Sequence, residues 1–159
     1  MFFSNIFGRD FRFRLYGTEH EDDMDRNLMI FGLAKKAGLL AVGADDVNAA
    51  ARTGKAHVII SARDSSGSAV RRAQSSAETG RIPHIVVPFT SFELGSVSGR
   101  GSPGTVAFLD AGLAASLLTR LAEMEPERYR ESAELLADRA RAQTEKKRRA
   151  QSGKRGTMQ

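Results

Sequence analysis

Chemistry in this chain concentrates where a glycine, an alanine and two carboxylates stand in a row, at Gly43, Ala44, Asp45 and Asp46. They open the stretch VGADDVNAAARTGKAHVIISARD, Val42 to Asp64. Val47, Ala50 and Ala51 recur in it at helical spacing, so one helix face can pack inward. A helix start beside a glycine presents backbone N–H groups to a phosphate or a base edge. The same pattern also serves as an ordinary helix–strand unit of any α/β protein. Lys35 and Lys36 close the preceding helix, and two readings stand for them. They complement the negative end of the helix dipole, or they contact phosphate. A third feature is the glycine-rich run GSVSGRGSPG, Gly95 to Gly104.

Other chemistries find no support in the residues. Cysteine is absent, which removes disulfides and thiolate metal sites. His20, His57 and His84 are far apart and form no metal-ligand spacing. No Ser/His/Asp set and no Walker-type loop is present, and GRGSPG precedes a strand rather than a helix. The chain is therefore expected to be no enzyme and to need no cofactor or metal.

The elements that must position these residues follow from periodicity. Asp25 is expected to cap a first helix containing Leu28, Ile30, Phe31, Leu33 and Ala34, which Gly38 ends. A short strand, 39–42, leads into Gly43. The Gly43 helix stops at Gly54, and Val58, Ile59 and Ile60 form a buried strand. Asp64 and the SSGS run start a third helix, with Ala69, Val70 and Ala73 inward and Arg71, Arg72 and Gln74 outward. Gly80 terminates it. A strand at Ile85–Val87 follows, then a short helix from Ser91 with Phe92 and Leu94 inward. After the glycine run comes a strand at Val106–Leu109. Asp110 caps a helix with a stripe of Leu113, Leu117, Leu118 and Leu121. Such alternation of helix and strand argues for a three-layer α/β/α sandwich.

The two ends read differently. Residues 1–25 combine an aromatic and basic segment, Phe2 to Leu15, with the acidic linker GTEHEDDMD, and are expected to form an arm outside the fold. Residues 125–159 alternate charge along a helical pattern with Leu135, Leu136 and Ala140 as its apolar side. Their end, EKKRRAQSGKRGTMQ, lacks apolar anchors and is expected to be unstructured. The domain proper is thus assigned to residues 26–124. Net charge is +5 over 159 residues. Residues 1–27 carry four basic and six acidic side chains, 28–122 ten and six, and 123–159 ten and seven. A basic domain with a basic end suggests a polyanionic partner, although such an end also serves simply to solubilise. No apolar run approaches the roughly 20 residues that cross a bilayer, and the first residues lack a signal peptide's apolar stretch. A cytoplasmic protein is expected.

From about Arg26 to Leu121 the chain resembles the kink-turn RNA-binding ribosomal protein family (the L-seven-Ae type), and within it the small bacterial YlxQ-type members. The matching pieces are GLAKKAGLLAVG, GADDVNAAARTGKAHVIISARD, the Pro83–Pro88 strand, FELG at Phe92–Gly95 and TVAFLD at Thr105–Asp110. The resemblance implies a sandwich around a mixed four-stranded sheet, no catalysis, and an RNA site at the second helix start and the loop before the last strand. In the archaeal and eukaryotic pattern the opening glycine is followed by Ala-Asn-Glu, with a lysine three positions further on. Here Gly43, Ala44, Asp45, Asp46 and Ala49 correspond. Asp46 keeps the acidic charge and can accept hydrogen bonds from a guanine. Asp45 replaces the asparagine and cannot donate. Ala49 removes the lysine. In the loop at Gly99–Gly104, Arg100 can grip phosphate or stack on a base.

Two functions are weighed on this basis. One is a non-catalytic binder of structured RNA, a kink-turn or internal loop, associated with the ribosome. It would use Lys35, Lys36, Gly43, Ala44, Asp45, Asp46 and Arg100. The other is a protein-interaction module on the same fold, which predicts an apolar surface patch and only non-specific RNA affinity.

Overall fold

The computed structural model describes residues 23–99 and 101–156. Residues 1–22 of the expected N-terminal arm, and Arg100, lie outside the described residues, whereas residues 23–25 belong to the first helix and Met24 is buried in the core. The first helix, α1, covers 23–36. Asp25 sits inside it, exposed, and is not its cap. Gly38 follows with φ 72°, the left-handed turn that glycine adopts cheaply. Then come β1 (Leu40–Val42), α2 (Ala44–Arg52), β2 (Val58–Ser61), α3 (Gly67–Gly80), β3 (His84–Val86), α4 (Ser91–Ser98), β4 (Thr105–Phe108), α5 (Ala111–Met124) and α6 (Pro126–Gly156). The α/β alternation read from the sequence is the one observed.

The four strands form one mixed sheet in the order β1-β4-β2-β3. β4 runs antiparallel to both β1 and β2, and β2 and β3 are parallel. Side chains alternate across the sheet, as strand geometry requires. Leu40, Val42, Val58, Ile60, Ile85, Val106 and Phe108 face the larger core, with Phe31, Leu94, Leu117, Leu118 and Leu136. Ile59 and Ala107 face the smaller one, with Val47, Ala50, Ala51, Ala73 and Ala77. One face of the sheet therefore carries α2 and α3, and the other carries α1, α4, α5 and α6. The alanine-rich face lets α2 and α3 pack close to the sheet and to each other.

Several local expectations are corrected. Phe92 is 53% exposed, because α4 buries Leu94 and Gly95 instead. Ser66, not Asp64, caps α3, its side chain accepting from the Ala69 N–H. Asp64 accepts from the N–H and hydroxyl of Ser91. Gly80 ends α3, but the left-handed cap falls on Arg81, φ 54°. A Cβ on Gly80 would sit 3.0 Å from the Ala51 carbonyl oxygen, so glycine is needed there for the α2–α3 approach.

The largest departure is α6. The charged C-terminal segment sends Tyr129, Ala133 and Leu136 into the same core as α1 and α5. The basic end, expected to be unstructured, continues as helix to Gly156. Two side chains fasten it along the sandwich. The Tyr129 hydroxyl donates to the Val86 carbonyl, 2.8 Å, and the Arg139 guanidinium donates to the Arg81 carbonyl, 3.0 Å. No described helix is long and apolar enough to cross a membrane.

Candidate nucleic-acid interface

At Gly43 the chain turns from strand to helix within one residue. The turn needs φ 93° and ψ 155°, a region that only glycine occupies easily. Its N–H donates to the Thr105 carbonyl, 3.0 Å, and its own carbonyl accepts from the Val47 N–H, 3.0 Å. The first bond joins the end of β1 to the start of β4, the strand that follows the glycine run. No side chain caps α2, and Asp45 and Asp46 lie exposed in its first turn. A ligand approaching this helix start meets no Cβ at Gly43 and only a methyl at Ala44.

The other half of the site is the loop after α4. Gly99, φ 73°, closes that helix. The Gly104 carbonyl accepts from the Ala62 N–H, 2.8 Å, and from the Ser65 hydroxyl, 2.7 Å. A Cβ at Gly104 would lie 3.1 Å from that hydroxyl oxygen. The loop is thus fastened at both ends, although three glycines by themselves suggest free motion.

Asp45 pairs with Arg72 of α3, oxygen to nitrogen 2.7 Å, with side chains 92% and 58% exposed. So exposed a pair stabilises by only about 0.2–1 kcal/mol. Its consequence is electrostatic, because a guanidinium offsets one of the two adjacent carboxylates. The partnership follows from matched stripes. Arg72, Ser76 and Gly80, four apart on α3, face Asp45, Asn48 and Ala51, three apart on α2. Sequence reading placed Arg72 outward and missed its role, since nothing local links residues 27 positions apart. Arg63, exposed in the turn after β2, adds another cation at this end.

The site residues named from sequence do not all converge. Gly43, Ala44, Asp45 and Asp46 lie at the end of the sheet where Gly104 and Thr105 lie. Lys35 and Lys36 precede the turn at Leu39, whose carbonyl accepts from the Leu109 N–H at the opposite end of β4. They flank the far end of the sheet and are separated from Gly43 by the whole of β1.

Ser61 and His84 lie side by side on β2 and β3, Oγ to Nε2 2.8 Å. That is the geometry of a nucleophile and its base. However, Ser61 is fully buried, which closes its hydroxyl to a substrate. The pair ties the parallel strands together. Burial holds the His84 imidazole below its ordinary pKa. Among the described residues no group of three His, Cys, Asp or Glu side chains could hold a metal ion.

No protein-family model matches the chain, and no curated protein does. Solved structures do. The chain is similar to a protein of unknown function from Bacillus halodurans, at 24% identity and TM-score 0.54, over 59% of this chain and 94% of that one. It is also similar to the Giardia lamblia 15.5kD RNA binding protein, at 14% identity and TM-score 0.51, over 66% and 89%. At such low identity these likenesses show the fold alone, an α/β domain built on a mixed four-stranded sheet.

Proposed function

We propose that the protein is a non-catalytic binder of structured RNA, a kink-turn or an internal loop, that works in the cytoplasm in association with the ribosome. The observation that carries this reading is the hydrogen bond from the Gly43 N–H to the Thr105 carbonyl. It sets a helix start free of bulky side chains beside the strand that the glycine loop feeds, an arrangement suited to an extruded base. The fold of an RNA-binding protein supports it further. In this reading the Asp46 carboxylate accepts hydrogen bonds from a guanine, Arg72 offsets the charge of Asp45, and Arg100 contacts phosphate.

Binding of a labelled kink-turn RNA and of a plain duplex of equal length, across a salt series, tests this. Wild type is expected to prefer the kink-turn, and Asp46→Ala with Arg100→Ala to lose that preference while binding the duplex as before. Equal binding of both RNAs by wild type sinks the reading. A second reading, a protein-interaction module, draws on Met29 and Leu33, which lie one turn apart on α1 and are 61% and 56% exposed. It predicts that Met29→Ser with Leu33→Ser abolishes capture of a protein partner and leaves RNA binding unchanged.

A further inference from the structure

We infer that the pole of the molecule opposite Gly43 is a second, separate nucleic-acid surface, one that follows the phosphate backbone of an RNA duplex. The inference goes beyond the structured-RNA reading, from which it takes RNA rather than DNA as the polyanion, and does not need the Gly43 helix start itself to bind.

Direction along α6 carries the argument. Tyr129 is tied to Val86, which pairs with Ser61 at the Gly43 end of the sheet. Three turns on, Arg139 reaches the carbonyls of His57 and Arg81, before the first residues of β2 and β3. The Gln143 side chain accepts from the Ala111 N–H, at the start of α5. The helix therefore crosses the sandwich from the Gly43 end to the far end and then leaves it. Residues 144–156 are all exposed. At 1.5 Å per residue they project about 18 Å beyond the body.

What projects is cationic. Arg141, Arg148 and Arg155 recur every seven residues, two helical turns, so they share one face at intervals of about 10.5 Å. Lys147 and Lys146 stand about 100° and 160° around the helix from Arg148, so the projecting end is cationic on its other faces as well. Arg141 and Arg149 are paired with Asp138 and Glu145, but no ion pair engages Lys146, Lys147 or Arg148 among the described residues. The body adds Lys35 and Lys36 from the end of α1, Arg52 and Lys55 from the end of α2, and Arg81 after α3, against Glu78 and Asp110. By contrast the Gly43 pole carries Asp45, Asp46, Asp64 and Glu93 against Arg63, Arg71 and Arg72.

The chemistry selects the partner. Residues 141–156 contain no Val, Leu, Ile, Met or aromatic side chain. Such a helix has nothing to insert into a lipid surface, and no anchor for the buried centre of a protein interface. A duplex offers what it does fit, two backbones of closely spaced phosphates, bound in exchange for released counterions. The two surfaces lie at opposite ends of the sandwich, so they engage separate RNA segments.

The test uses the full chain and a labelled RNA duplex of about 20 base pairs without internal loops. Lys146→Gln, Lys147→Gln and Arg148→Gln together are expected to weaken binding at least tenfold at low salt and to flatten the log–log salt slope by about 2–3. The charge-keeping set Lys146→Arg, Lys147→Arg and Arg148→Lys is expected to bind as wild type. An unchanged slope in the glutamine variant overturns the inference. So does phosphatidylglycerol vesicle binding as tight as duplex binding, or a DNA duplex bound more tightly than the RNA.

Discussion

Gly43 shows how much can hang on a missing side chain. No atom of the described residues beyond its chain neighbours lies within 4 Å of where its Cβ would stand, so Gly43→Ala meets no clash among them. It meets only the cost of φ 93°, about 1–3 kcal/mol. A fall of that size in urea stability is expected, with the fold retained. Two titrating side chains make the pH dependence specific. Burial lowers the His84 pKa below 6.5, and burial, then Arg139, lowers that of His57 against an opposing pull from Asp110. For a base with a depressed folded pKa, the unfolded chain takes up protons first. Stability is therefore full above pH 6.5 and falls as pH drops below it. His84→Gln should shallow that acid limb in denaturation curves. Tyr129 works in the other direction. Its hydroxyl, buried and bonded to Val86, has its pKa pushed up to about 12 from 10. Stability is full below pH 10 and declines between pH 10 and about 12, and Tyr129→Phe should remove that alkaline slope.

At the scale of the element, α6 divides into two parts with different duties. Its first half is core. Leu136 has no exposed surface, and Leu136→Ala is expected to cost about 2–5 kcal/mol, read from the shift in urea midpoint. A cut after Glu125, the boundary that charge patterning suggests, would strip Tyr129, Ala133 and Leu136 from that core, and soluble expression should fail. A cut after Gln143 removes, among the described residues, only exposed ones and should leave the melting temperature within a few degrees of wild type. The α2–α3 pair depends instead on close approach. Gly80→Ala drives a methyl against the Ala51 backbone and should destabilise by about 1–3 kcal/mol, whereas ordinary helix propensity would favour alanine.

Across the whole molecule, charge is sorted by topology. Strands β1 and β2 and helices α2 and α3 all turn at the same two ends of the sheet. Cations and carboxylates scattered through the sequence therefore collect at two poles of different character. A net charge of +5 hides this separation. The expected outcome is two classes of RNA-binding variant. Substitutions at the far pole change the salt slope for every RNA. Substitutions of Gly43 or Asp46 at the other pole change discrimination among RNAs and leave the slope nearly as it was.

Some of this was legible in the chain by itself. Apolar periodicity identified the alternating helices and strands, since burial of one face needs a fixed repeat. The Gly43 helix start and the glycine loop were visible because backbone conformation at glycine is a local property. Other features had no local signal. The Asp45–Arg72 pair joins residues that only the α2–α3 packing brings together. Leu136 was one apolar side chain in a sparse stripe, and the stripe is sparse because α6 meets the core along half its length only. Lys35 and Lys36 stand seven or eight positions from Gly43 in sequence, yet a strand runs between them and carries them to the other pole. Spacing along the chain determined the elements. Which charges meet was decided by the direction in which each element crosses the sheet, and that exists only once the sheet has formed.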